Sequence, residues 1–198
     1  MVGLRIRVYG DPVLRRVAAE VTDIDGALAD LCRQMFTSMY EAPGIGLAAP
    51  QVGVSQRFFV YDFGEGPGVL INPEIIGSDG EWTYNEGCLS VPELSWEIVR
   101  PRRIHLRAYD LDGNEVAIEA EDLQARLFQH ELDHLEGRIL LDYLDEDQRR
   151  EAKRILRQRA MGDPSRPPGS GGSRSGVGRV EVPDRSRPPG SSGSQLLP

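Results

Sequence analysis

No stretch of the 198 residues stays apolar long enough to cross a bilayer. The opening "MVGLRIRVYGDP" breaks at Gly10 and Pro12 before a secretory apolar region develops. Both absences point to a protein that remains in the cytoplasm and engages no membrane. Cysteine is scarce too. Cys32 and Cys88 are too few for a disulfide framework, and a reducing compartment leaves both as thiols, free for packing or for metal. Basic blocks are also missing. With 23 Lys and Arg against 31 Asp and Glu the net charge is −8, so phosphate-backbone binding is not expected and DNA is not an expected partner.

What is present divides at Gly162. Residues 1–161 have the composition of one globular domain, whereas residues 162–198 are mostly Gly, Pro and Ser and cannot bury enough apolar area to offset their ordering entropy. That second part reads as a disordered Gly/Pro/Ser-rich tail, in which "SRPPGS" occurs at 165–170 and again at 186–191.

Within the first part, Leu28, Leu31, Cys32, Met35, Phe36 and Met39 recur at three- and four-residue spacing, which predicts a helix over 26–41 capped by "TDID" and ended by Pro43-Gly44. Cys32 falls on its apolar face, as a buried thiol. Short apolar runs at 57–63 and 69–76 predict strands, and two alternating stretches around Asp112-Gly113 predict a hairpin. His105 lies in that hairpin with no carboxylate or cysteine at ligand spacing and reads as structural or solvent-facing rather than chemical. Leu123, Leu127, Phe128, Leu132 and Leu135 predict a second helix, with Asp122 as cap and Gly137 as stop. A third covers about 146–160, packing through Ala152, Ile155 and Leu156. Strands in the middle, helices before and after, and no βαβ alternation give an α+β fold, with antiparallel or mixed sheets.

The second helix carries "FQHELDHLEG", residues 128–137. Positions four apart on a helix lie about 40° apart around the axis and about 6 Å along it, so His130 and His134 can turn both imidazoles to one ion. Glu131 can then reach water at that ion without ligating it, the geometry of helix-borne H-E-x-x-H hydrolases. The apolar setting argues against a merely wet face. A site with three protein ligands and one open position needs a third donor. Among few candidates Cys88 in "NEGCLSVP" is the best, since Gly87 permits close backbone approach and the following turn presents N–H groups. A Cys/His/His set suits Zn²⁺ or Fe²⁺, and the residues do not choose between them. In "APGIGLAAPQ", residues 42–51, the glycines allow close approach to an extended substrate, and Gln51 can donate to an oxyanion. Alone, that stretch reads as a helix-to-strand turn.

Taken in order, "GIGLAAPQ", "EGCLS" and "QHELDH" resemble the three signature motifs of the peptide deformylases, and "GDPVLRRVA" at 10–18 resembles that family's amino-terminal segment. The resemblance implies a metal-dependent catalytic domain over 1–161 that removes the formyl group from the initiator methionine of nascent polypeptides, with sheets packed around a central helix bearing the H-E-x-x-H motif. Carried over by position, it assigns metal ligation to Cys88, His130 and His134, acid/base work to Glu131, and oxyanion donation to Gln51 and the backbone N–H of Leu89. Ile45 and Gly46 match the segment that pairs with the substrate backbone. The implied ion is Fe²⁺, with Zn²⁺, Ni²⁺ or Co²⁺ as substitutes. The implied partner is the nascent formyl-Met chain, with docking at the ribosome through a small basic patch compatible with the charge. Glu86 and Asp133 are motif positions too, read equally as supports of the ligands or as an ordinary buried ion pair. "ELSWEIVRP" departs from the family at Glu93 and Trp96, where many members carry glycine, which bears on the shape of the substrate mouth. Two rivals remain: an H-E-x-x-H endopeptidase, which ordinarily takes a third ligand from downstream, where no histidine follows His134, and a catalytically idle homologue that only binds nascent chains.

Overall fold

The computed structural model describes residues 3–162. The Gly/Pro/Ser-rich tail read from the sequence therefore lies outside the described residues, apart from Gly162 at a helix end. Three α-helices, α1 (Gly26–Glu41), α2 (Asp122–Leu135) and α3 (Glu146–Gly162), are joined by seven strands. These are β1 (Gly46–Ala48), β2 (Phe58–Tyr61), β3 (Gly68–Asp79), β4 (Trp82–Cys88), β5 (Val91–Arg100), β6 (Arg103–Tyr109) and β7 (Glu115–Glu121). Strands β1-β2-β3-β6-β7 form one antiparallel sheet in that spatial order, and β4 pairs with β5 in a separate antiparallel hairpin. The class is α+β.

The sheet is clad differently along its width, and the sequence pattern follows. Phe58 and Val60 face a core shared with Leu28, Cys32, Met35 and Met39 of α1, while Phe59 faces one shared with Ala125, Phe128, Leu132 and Leu135 of α2. Strand β2 is thus covered on both faces, which is why "FFVY" is continuously apolar rather than alternating. Each such fully buried phenylalanine contributes roughly 1.5–3 kcal/mol relative to exposure. Strand β6 alternates exposed and buried residues along its length, since only its inner face meets α2. On its outer face Arg103 and Arg107 meet Glu121 and Glu74. His105 sits there as well, with its side chain 53% exposed and 3.6 Å from Glu119, on the solvent face as the sequence predicts.

Helix α1 begins where expected, with Asp25 Oδ1 accepting from the N–H of Leu28 at 2.9 Å. Cys32 is 1% exposed, and burial pushes its thiol up to about 12. Helix α2 differs from its predicted start. Strand β7 passes into it without a loop, and Asp122 is its first residue, at φ +49°, rather than a side-chain cap. The Asp122 carboxylate instead accepts from Arg102 Nε at 2.7 Å, pinning the corner. At the other end Gly137 takes φ +70°, and a Cβ there would lie 2.8 Å from the carbonyl oxygen of Arg15. Glycine is therefore required both for the left-handed turn and for the amino-terminal segment that passes against it.

A third core joins β5, the residues just before α3, and α3 itself, through Val91, Ile98, Leu140, Leu141, Ala152 and Leu156. It fixes the β4–β5 hairpin beside α2.

Candidate metal centre

Cys88 is the last residue of β4 and pairs with Val91, so Leu89 and Ser90 form a two-residue turn. The hairpin directs the sulfur toward the buried face of α2, where His130 and His134 stand one turn apart. Cys88 Sγ lies 3.2 Å from His134 Nε2, and the two rings have centroids 5.1 Å apart. One donor atom from each of Cys88, His130 and His134 lies within 4.8 Å of the other two. The three residues named from sequence therefore converge.

Their surroundings fit a divalent cation. His130 Nδ1 lies 3.0 Å from Glu86 Oε2, so a carboxylate there fixes the proton on Nδ1 and leaves Nε2 with a free lone pair. Burial works against a charged Cys88, but the charges of His134 and His130 outweigh it and hold the thiol well below its ordinary range. Burial likewise opposes charge on His130, and the Cys88 sulfur overrides it upward. A buried thiolate that calls for positive charge beside it is equally served by a cation held between the same three side chains, whose binding requires the sulfur and both ligating nitrogens to be free of protons. His134 Nδ1 and Glu131 Oε2 are buried without a hydrogen-bond partner.

Glu131 is 2% exposed, and burial pushes its carboxyl up to about 7 against the pull of His130 and His134. A carboxyl poised there can accept and return a proton near neutrality. Gln51 is also 2% exposed. Its Oε1 accepts from the N–H of Ala48 at 2.8 Å, and its Nε2 lies 3.2 Å from Ser90 Oγ and 3.9 Å from Cys88 Sγ. Leu89 bears its N–H on the turn directly after the sulfur.

A cavity of about 510 Å³ opens onto this cluster, lined by every sequence-predicted site residue except His134, which lies behind it. Gly46, the first residue of β1 at the edge of the sheet, and Ile45 just before it form one wall. The glycines do more here than leave space for a substrate. A Cβ at Gly46 would sit 2.7 Å from Glu131 Oε1 and would displace that carboxylate, whereas one at Gly44 would sit 2.8 Å from Leu89 Cδ1 and would push that side chain aside. On the opposite rim Glu93 takes φ +61°, in the left-handed region that favours glycine, and its carboxylate lies 3.3 Å from Arg159 of α3.

The supports behind the ligands were only partly foreseen. Glu86 accepts from Arg100 at 2.7 and 3.0 Å, from Arg126 Nη1, and holds His130, so it is both ion-pair partner and support of the His130 ring. Asp133 accepts from Arg100 at 2.8 Å and from the Tyr143 hydroxyl at 2.8 Å. Arg126 is on α2 one turn before His130, a spacing that could have flagged it, and its guanidinium stacks 4.9 Å from the Trp82 ring. Arg100 and Ser90 left no signal of their own.

The model of the polypeptide deformylase family matches residues 4–150. A peptide deformylase from Agathobacter rectalis is 51% identical over 140 residues, covering 71% of this chain and 89% of that protein. Among solved structures, the peptide deformylase of Thermotoga maritima is similar at 48% identity and a TM-score of 0.72, covering 73% of this chain and 99% of the other. That of Legionella pneumophila reaches a TM-score of 0.79 at 38% identity, covering 84% and 100%.

Proposed function

The chain belongs to the polypeptide deformylase family, and from that premise we propose how its residues carry out the reaction. It is a peptide deformylase, hydrolysing the amide between the formyl group and the amino-terminal methionine of nascent polypeptides. The convergence of Cys88, His130 and His134 beside a buried Glu131 whose Oε2 has no hydrogen-bond partner carries this reading.

Residues 1–161 form the catalytic domain. Cys88, His130 and His134 would hold one divalent ion, Fe²⁺ in the cell, with Zn²⁺, Ni²⁺ or Co²⁺ accepted by the same thiolate and imidazoles. When bound, the ion supplies the Lewis acidity that lets water act as a nucleophile near neutral pH. Glu131 takes the proton from the attacking water. The C–O bond forms at the formyl carbon, and the negative charge gathering on the formyl oxygen is met by Gln51 Nε2–H and the Leu89 N–H. Glu131 then delivers its proton to the departing nitrogen as the C–N bond breaks, leaving formate and a free amino terminus. Ile45 and Gly46, on the sheet edge, hold the substrate backbone as an added strand. The Glu86 carboxylate keeps His130 in the one tautomer that ligates.

Formate release from formyl-Met-Ala-Ser, set beside acetyl-Met-Ala-Ser under anaerobic conditions, tests the reading. The formyl peptide is expected to turn over and the acetyl peptide to resist. Equal cleavage of both, or cleavage at internal bonds, rejects the deformylase assignment in favour of the endopeptidase. Metal binding without any formate release favours the idle homologue.

The substrate places the enzyme in the cytoplasm near translating ribosomes. Arg150, Lys153, Arg154 and Arg157 gather on α3; Arg150 and Arg154 pair with Asp147 and Glu151, so Lys153 and Arg157 are the charges that suit docking against ribosomal phosphate. Co-sedimentation with ribosomes should weaken as salt rises and on changing Lys153 and Arg157 to glutamate. Indifference to both changes removes the docking role.

A further inference from the structure

Gln51 and Ser90 come from different motifs, 39 positions apart, yet they meet in the interior, where Ser90 is 0% exposed. A glutamine amide has one acceptor and two N–H donors on a side chain with three rotatable bonds. Left to itself it would sample many orientations. Here its oxygen takes the Ala48 N–H at 2.8 Å, which forbids the flipped orientation, because a flip would set an amide NH₂ against a backbone N–H. Its nitrogen lies 3.2 Å from Ser90 Oγ, so one N–H is committed to that hydroxyl. Planarity of the amide then dictates where the second N–H points. The same nitrogen lies 3.9 Å from Cys88 Sγ, so its second N–H makes only a long bond to that weak sulfur acceptor at the cavity wall, and it is the one a stronger acceptor there can take.

We infer that Ser90 is a positioning residue for the hydrolysis, whose hydroxyl takes one N–H of Gln51 and so aims the other at the formyl oxygen. The inference rests on the reading of Gln51 as an oxyanion donor. A donor aimed before the charge develops needs no reorganisation as the barrier is crossed, and this is what makes such donors effective.

The two loops are also tied from outside. The backbone N–H of Arg7 donates to the carbonyl of Gln51 at 2.7 Å, and that of Tyr9, two residues on, donates to the carbonyl of Ser90 at 2.8 Å. The amino-terminal segment thereby laces the first motif to the second. Ser90 further belongs to the two-residue turn that follows Cys88, so it cannot shift without disturbing the sulfur. Hydroxyl, amide and sulfur are held in one frame.

The test uses the full chain loaded with Zn²⁺. Ser90→Ala should lower kcat roughly 10-fold through misaiming, with KM changed less than about twofold. Gln51→Leu should lower kcat on the order of 10²-fold or more. The double variant should match Gln51→Leu alone, because Ser90 acts through the amide. Additive losses, or a Ser90→Ala enzyme with unaltered kcat, overturn the role of Ser90 while leaving Gln51 in place. Undiminished kcat in Gln51→Leu overturns the oxyanion reading and this inference with it. A second readout is independent of activity and of any Ser90 variant. In the ¹⁵N spectrum of the wild-type protein, the Gln51 side-chain pair, identified by its loss in Gln51→Leu, should exchange slowly with solvent. Exchange as fast as that of an exposed glutamine amide overturns the proposal.

Discussion

Changing Glu131 to glutamine should lower kcat for the formyl peptide by roughly 10²–10⁴-fold, the range removed with a general acid/base. Metal content should not change. The side chain is isosteric, its carboxylate is not among the three converging donors, and the ligand set of Cys88, His130 and His134 stays whole. Stability should hold or rise, because the wild-type protein buries a carboxyl whose Oε2 has no partner, and a neutral amide costs less to desolvate. Activity lost while the protein becomes no less stable is the signature of a group kept for chemistry rather than folding. Thermal melts, elemental analysis and initial rates on one preparation check all three. A variant that loses its metal along with its activity would make Glu131 a ligand instead.

The second large effect is expected at Glu86. Its side chain is 5% exposed, against two guanidiniums 4% and 3% exposed. Burial works against its charge, but His130 and Arg100 outweigh that and hold the carboxyl at about 2. Glu86→Gln removes the anion and leaves Arg100 and Arg126 buried with too little countercharge, a loss of about 3–5 kcal/mol by analogy with other broken buried pairs. In a domain of this size the melting temperature should fall on the order of 10 °C. The same substitution takes the anionic acceptor from His130 Nδ1, so metal affinity should drop about 10–100-fold. Arg100→Leu, which leaves the Glu86–His130 bond in place, should destabilise with a smaller change in affinity. Equal loss of affinity in both variants would mean that Glu86 acts on the fold alone.

Much of this was legible in the sequence, and the failures have physical causes. Helix α1 announced itself by spacing and an aspartate cap, and Gly137 by the left-handed turn it had to make. Strands β4 and β5 were not read as a hairpin. Gly87 and Pro92 interrupt their alternation, and the register shifts between Gly87 and Cys88, so no clean period of two survives. Strand β1 is three residues long inside a glycine-rich run, too short for any pattern. Asp122 looked like a cap because its residue type favours one, yet the direct passage from β7 and the pull of Arg102 gave it another position. At the site, His130, Glu131 and His134 declare themselves by lying on one helix. Cys88 could be nominated only by elimination and by resemblance, since a ligand 42 positions before the first histidine carries no periodic signal. Arg100 and Ser90 are further from sight, because a buried arginine and a buried serine look like any surface residue until the chain is folded.

The central claim is that one sulfur and two imidazole nitrogens share a single cation. X-ray absorption at the zinc edge of the Zn²⁺-loaded protein measures this directly. One sulfur at about 2.3 Å and two imidazole nitrogens at about 2.0–2.1 Å are predicted, with the sulfur shell vanishing in Cys88→Ser. A zinc shell of nitrogen and oxygen alone in the wild-type protein would contradict the account.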